Sequence, residues 1–159
     1  MKKIVTAAFV LLSLAGLAHS APSPSKKTGT STKPLCAEDT CVKLKNAVMI
    51  AMEMSKLEVI IAAGTERSSG IESATAQVME KTKGYKDEVR PLYAAALASV
   101  KRSEKATSAL KEFMMAWNAG INSFPMSLLA SRAEQAEDYK KHVQRLNDAW
   151  ARVELEAEL

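Results

Sequence analysis

Apolar side chains recur at intervals of three and four residues along most of the chain, the spacing that places them on one face of an α-helix. Strand signals are weak, because sustained alternation and Asn-Gly or Asp-Gly hairpin turns are lacking. The clearest helical pattern covers residues 87–118. Its apolar stripe, in which Ser103 and Thr107 fill two gaps, consists of Val89, Tyr93, Ala96, Val100, Leu110, Met114, Trp117 and Ile121.

Glycine and proline suggest where these helices end. We expect Asp87 to cap the helix over residues 87–118, which leaves Pro91 in a first turn whose amides have no intrahelical acceptor. Gly84 is then the natural end of a shorter and less regular helix over residues 69–83. The alternative is one continuous helix through this region, kinked between residues 84 and 91.

The last segment repeats the same rhythm, with Arg132 as its polar exception. Ser123, as a possible cap, and Pro125 mark its predicted start. Its stripe consists of Leu129, Ala136, Tyr139, Val143, Leu146, Trp150, Val153 and Ala157. We expect its last turn to fray, because several glutamates crowd the negative end of the helix dipole: Glu154, Glu156 and Glu158.

The first predicted helix, residues 40–63, is apolar almost all round. It has two stripes more than a quarter turn apart: Ala47, Ile50, Met54, Leu57 and Ile61 in one, and Leu44, Val48, Met52 and Val59 in the other. Such a helix is either enclosed by its neighbours or has a second apolar surface for a partner. We expect Val48, Met52 and Val59 to face a protein partner or a second copy of the chain. Interspersed polar residues exclude a membrane span: Glu53, Ser55, Lys56 and Glu58.

Four helices joined by short loops favour an all-α fold, an up-and-down helical bundle. Residues 35–159 are enough for one such domain with a single core. They are preceded by residues 21–34, which are small, polar and contain proline, so we expect a flexible tail there.

Residues 1–20 have the layout of a secretory signal peptide. Two lysines precede an apolar run of about 14 residues, which is too short to cross a bilayer, and small residues precede Ala21. We predict cleavage after Ser20 and a periplasmic or secreted location.

The net charge of +4 does not indicate a nucleic-acid-binding domain. Five of the 22 basic residues and none of the 18 acidic residues lie within residues 1–34, so residues 35–159 carry a net charge of −1. A nucleic-acid-binding domain is expected to concentrate basic charge on its folded surface. We therefore expect no nucleic-acid partner.

Cys36 and Cys41 are predicted to form a disulfide, because export leads to an oxidising compartment. Five residues apart in a continuous helix, their Cα atoms would be too distant for the bond. The bridge therefore requires a turn before the helix, with Asp39 or Thr40 as its N-cap. Free or intermolecular thiols are the main alternative, and two thiols without a neighbouring histidine make a poor metal site.

Catalytic chemistry is not indicated by the sequence. His142 is the one histidine of the predicted mature chain, and phosphate-binding, nucleophile-elbow and zinc-protease motifs are lacking. We therefore expect no enzyme and no cofactor. Glu134, Asp138 and His142 share a helix face, but a metal site normally takes ligands from more than one element. We interpret these three residues as a solvated flank, that is, a side of the helix that faces solvent.

Methionine is the compositional exception, with eight in the chain. Thioethers can bind Cu(I), fill irregular cores or line adaptable binding surfaces. Met49, Met52 and Met54 do not share one helix face, which makes a copper site on this helix geometrically poor. We favour core packing.

These features together predict an exported, non-enzymatic helical protein that acts by binding another protein, for example as an inhibitor or immunity protein. A periplasmic stress or chaperone-like module is the alternative, and copper or other metal handling is a weaker one.

Overall fold

The computed structural model describes Cys36 and residues 38–159, apart from the side chains of Glu38 and residues 67–69. Four helices make up this part of the chain: α1 (Glu38–Ser69), α2 (Ile71–Val100), α3 (Glu104–Ser127) and α4 (Arg132–Glu156). No strand occurs among the described residues, and the predicted all-α class is confirmed. The predicted signal peptide and tail, residues 1–34, lie outside the described residues.

The helices form an up-and-down bundle, as predicted. Connections of one, three and four residues join them, so each helix runs antiparallel to the one before it. Between α4 and α3, the Arg152 guanidinium pairs with Glu112 at 2.7 Å. Between the first and last helices, Lys45 pairs with Glu154 at 3.3 Å, which joins the start of α1 to the end of α4.

Helix α2 continues through the predicted boundary between Gly84 and Asp87 and on past Pro91, so the alternative of one continuous helix in this region is confirmed. Gly84 and Pro91 lie inside α2, and the chain turns instead at residues 101–103. The Ser103 hydroxyl caps α3 by accepting the N–H of Ala106 at 3.1 Å. The predicted break between residues 83 and 87 is therefore wrong. An interior Gly and Pro cost about 1 and 3 kcal/mol of helix propensity, and α2 offsets this cost by burying one continuous face: Ala74, Val78, Val89, Ala96 and Val100.

Helix α4 begins later than predicted. Ser123 and Pro125 lie inside α3, and Ser131 is the actual N-cap of α4. The Ser131 hydroxyl accepts the Glu134 N–H at 3.3 Å, and the Glu134 carboxylate accepts the Ser131 N–H at 2.8 Å. This capping box satisfies two N–H groups that have no partner within the helix.

The predicted stripes of α2, α3 and α4 are largely buried and supply about half of the apolar side chains in the core. Phe113 and Trp150 meet edge to face in it, with ring centroids 5.1 Å apart. Leu129 is the main exception, because it lies in the turn after α3 and is 70% exposed. The large, fully buried side chains from these three helices include Val78, Val89, Val100, Leu110, Phe113, Ile121, Leu146 and Val153.

A disulfide joins Cys36 to Cys41, as predicted, with the Cα atoms 6.2 Å apart. Cys36 precedes α1 and Cys41 lies in its first turn, so the turn that the short spacing requires is present. The helix begins at Glu38, which rules out Asp39 or Thr40 as its N-cap. The Cys36 sulfur lies 3.1 Å from the Ser99 hydroxyl, so the bridge also packs against the end of α2.

Helices α1, α3 and α4 approach one another closely at Gly120. A Cβ atom on this residue would lie 2.9 Å from Met52 Cε of α1 and 3.3 Å from His142 Cβ of α4. A larger residue at position 120 would therefore force neighbouring side chains to move.

None of the helices in the described part of the chain has an apolar stretch long enough to span a membrane.

Candidate functional site: the outer face of α1

Six large apolar side chains of α1 are exposed, with exposed fractions from 38% to 63%. Val42 lies near the start of the helix, and the other five are grouped between residues 50 and 61. Four of them follow one another at intervals of four, three and four residues, which aligns them along one side of the helix. The fifth, Ile60, lies beside this line on the side of α4, where it borders a cleft that α4 also lines. We call this set the outer α1 face: Ile50, Met54, Leu57, Ile60 and Ile61.

The structure corrects the choice of residues for a partner. Val48 and Met52 are fully buried, and Val59 is 3% exposed. All three side chains belong to the core, and Val48 and Met52 have no exposed surface through which to contact a partner. The other stripe, which contains Ile50 and Leu57, is the one exposed to solvent.

Two polar residues explain why the stripes were difficult to tell apart. Ser55 is fully buried and Glu58 is 9% exposed, although both are polar residues within an otherwise apolar stretch of the sequence. The Ser55 hydroxyl donates to the Ala51 carbonyl at 2.7 Å, and the Tyr85 hydroxyl donates to the Glu58 carboxylate at 3.1 Å. Because these polar atoms have partners within the bundle, their side chains can occupy its inner side.

The buried and exposed sides of α1 differ in length. The buried side of α1 extends from Cys41 to Ala62, whereas the line of exposed side chains from Ile50 to Ile61 is shorter. A core-facing stripe is expected to continue along the whole helix, because the neighbouring helices cover all of it.

Polar contacts frame the outer α1 face on the side of α4. The Tyr139 hydroxyl donates to the Glu53 carboxylate. Lys56 Nζ lies 4.3 Å from the centre of the Tyr139 ring and 3.9 Å from Glu53. Burial first, and then the Glu53 carboxylate, raise the pKa of Tyr139, so its hydroxyl keeps its proton at neutral pH.

A cleft of about 300 Å³ adjoins the outer α1 face, which we call the α1/α4 cleft. Ile60 belongs to both surfaces. Polar and apolar groups from three helices line the cleft, among them Val59, Phe124, Ser123, Tyr139 and His142.

Ser123 and His142 lie close together in this cleft, with Oγ and Nε2 3.1 Å apart. The Ser123 hydroxyl donates to the Gly120 carbonyl at 2.7 Å, so its proton does not point at the imidazole. His142 Nδ1 is buried and has no hydrogen-bond partner in the described part of the chain. A catalytic serine requires a histidine that accepts its proton and a third group that orients this histidine. The arrangement does not meet these requirements.

The possible metal ligands on α4 are separated by their partners. Glu134 belongs to the capping box, and Asp138 lies 3.7 Å from Lys141 Nζ. Among the residues that the structure describes, no three His, Cys, Asp or Glu side chains are grouped as a metal site. On α1, Met52 is buried in the core and Met54 is partly exposed, so these two thioethers occupy different sides of the helix.

No protein-family model matches the chain, and neither does a curated protein or a solved structure. The role of the outer α1 face is therefore inferred from its own residues.

Proposed function

We propose that this is an exported, non-enzymatic protein that binds another protein through the outer α1 face, as an inhibitor or immunity protein does. The observation that carries the proposal is the exposure of five large apolar side chains on one side of a single helix. Scattered exposed apolar residues are normal on a soluble protein, but a contiguous patch indicates an interaction site.

The spacing of the patch suits helical recognition. Side chains at positions i, i+4, i+7 and i+11 form the seam by which one helix docks into a groove or against another helix. Burying this seam is favourable by about 25 cal/mol for each Å² of apolar surface removed from water. Glu53 and Lys56 border it, which provides a polar rim of the kind that surrounds protein interfaces.

The α1/α4 cleft adds a place for an anchoring side chain. Its volume of about 300 Å³ is large enough for one aromatic or branched residue of a partner. Because Ile60 lines both the cleft and the outer α1 face, one partner segment can occupy the two surfaces together.

The disulfide supports export. A bridge between Cys36 and Cys41 persists in an oxidising compartment, which agrees with the predicted signal peptide over residues 1–20. A role without catalysis is supported by the orientation of Ser123, whose hydroxyl is committed to a backbone carbonyl.

The test compares lysine substitutions at three positions. We expect Leu57→Lys to abolish partner binding and to change the free energy of unfolding by no more than about 0.5 kcal/mol, as is usual for surface positions. Glu53 lies four residues before position 57, so the new lysine gains a favourable helical pair. Leu129→Lys, which changes an exposed leucine outside the face, is the matched control and should bind as the wild type does.

Met52→Lys distinguishes surface from core. Because Met52 is fully buried, an unpaired charge there should destabilise the bundle by about 3–5 kcal/mol.

Binding is measured by capture from envelope extract on the immobilised chain, and self-association by sedimentation. Two results together would contradict the proposal. Every protein that the wild type captures would also be captured by Leu57→Lys, and the wild type would be monomeric at every concentration.

A chaperone-like role is the second candidate, because exposed methionines occur on other helices as well. Met79, Met115 and Met126 are all largely exposed, and methionine-rich surfaces adapt to varied partners. This role requires the protein to suppress aggregation of an unrelated unfolded protein. A lack of suppression at stoichiometric excess would remove this candidate.

A further inference from the structure

We propose a second binding site, in the groove between α2 and α3, for a small organic anion with a flat apolar body. The groove has a volume of about 480 Å³, within the usual range for small-molecule sites. It is separate from the outer α1 face, because only α2 and α3 contribute residues to it. We call it the α2/α3 groove.

Three cationic side chains converge on the α2/α3 groove. Lys86 and Arg90 lie one turn apart on α2, and Lys111 reaches the groove from α3. No Asp or Glu lines the groove within the part of the chain that the structure describes. This concentration of positive charge is local, since residues 35–159 as a whole carry a net charge of −1.

These cations have little internal compensation. Arg90 lies 3.3 Å from Asp87, which also pairs with Lys83 at 2.9 Å. Lys86 donates to the neutral amide oxygen of Asn122 on α3. Lys111 has no ion pair among the described residues. A bound anion would supply the charge that the protein does not, and the arginine fork suits a carboxylate, sulfonate or phosphate.

Apart from Asn118, the rest of the lining is apolar and aromatic. Tyr93 and the largely exposed Met115 are its more accessible members, whereas Met114 and Trp117 are 6% and 2% exposed. The Trp117 indole N–H is buried and has no acceptor among the described residues, although a buried indole usually finds one. An inorganic anion would leave the accessible apolar part of this lining uncovered. A flat organic body would cover it while its charged group meets the three cations.

Two fluorescent probes with the same aromatic framework test the charge requirement. 8-Anilinonaphthalene-1-sulfonate carries one sulfonate, and N-phenyl-1-naphthylamine is its neutral counterpart. We expect the sulfonate probe to bind the full chain saturably, one molecule per protein, at least tenfold more tightly than the neutral probe. Inorganic phosphate alone should bind too weakly to displace it at equal concentration. Equal affinities for the two probes would overturn the proposal.

Substitutions locate the site. The double variant Arg90→Gln, Lys111→Gln should weaken binding of the sulfonate probe at least tenfold, and circular dichroism should show an unchanged helix content. Lys105→Gln removes one positive charge from α3 outside the groove and should change the affinity less than twofold. Leu57→Lys on the outer α1 face should also leave it unchanged. Binding that survives the double variant, or that Leu57→Lys removes, would contradict the assignment.

Discussion

His142 is half-buried between α3 and α4, where its imidazole contacts the Ser123 hydroxyl. Burial is the main cause that lowers the pKa of His142 below its ordinary value of 6.5. The positive charge of Arg145 lowers it further, and the negative charge of Asp138 offsets part of the effect. The folded protein therefore binds this proton less readily than the unfolded chain does.

This difference predicts a pH dependence of stability. Below pH 6.5 the unfolded chain takes up a proton at His142 that the folded chain resists, so the free energy of unfolding should fall as the pH is lowered through this value. Above pH 6.5 this loss in the free energy of unfolding should be absent. Urea denaturation at pH 7.5 and 5.5 measures the loss, and His142→Gln should reduce it. An equal loss in the variant would show that other groups are responsible.

Single side chains also mark the limit of prediction from sequence. The burial of Glu58 depends on a hydrogen bond from Tyr85, which lies 27 residues away in the chain and on another helix. A pattern of neighbouring residues contains no information about that contact. The sequence therefore does not show that Glu58 and Ser55 lie on the inner side of α1, where Val48, Met52 and Val59 are buried as well.

At the scale of the helices, the apolar stripes were predictable and the helix ends were not. The stripe from Val89 to Ile121 is largely buried, because three- and four-residue spacing directly determines which side chains share a helix face. Its division into two helices depends on the turn at residues 101–103, and the stripe keeps its spacing across that turn. Gly84 and Pro91 were stronger local signals for a break, but packing along α2 outweighs them.

Two helical glycines with different surroundings test this explanation. Gly84 has no atom within 4 Å of the position that a Cβ would take, so Gly84→Ala should stabilise the protein by about 0.5–1 kcal/mol. Gly120 faces Met52 and His142 at 2.9 and 3.3 Å, so Gly120→Val should destabilise it by about 1–3 kcal/mol. Chemical denaturation measures both. If Gly120→Val were also stabilising, the close approach of α1, α3 and α4 would not constrain the bundle.

The orientation of α1 is a property of the whole molecule. Both of its stripes could have packed against the other helices, and the choice between them depends on how the four helices fit together. The sequence correctly indicated a helix with more apolar surface than one side of a bundle can cover. Only the assembled fold shows that Leu57 and Ile61 remain outside while Val48 and Met52 are enclosed.

We expect residues 35–159 to fold with unchanged stability when residues 1–34 are removed. Residues 21–34 contain no large apolar side chain that could add to the core, and the segment before them has the layout of a leader. Removal changes the net charge from +4 to −1, so the shortened chain should elute differently on ion exchange at neutral pH. Its urea midpoint should equal that of the full chain. A loss of more than about 1 kcal/mol, well beyond the usual scale of a surface change, would show that the domain begins before residue 35.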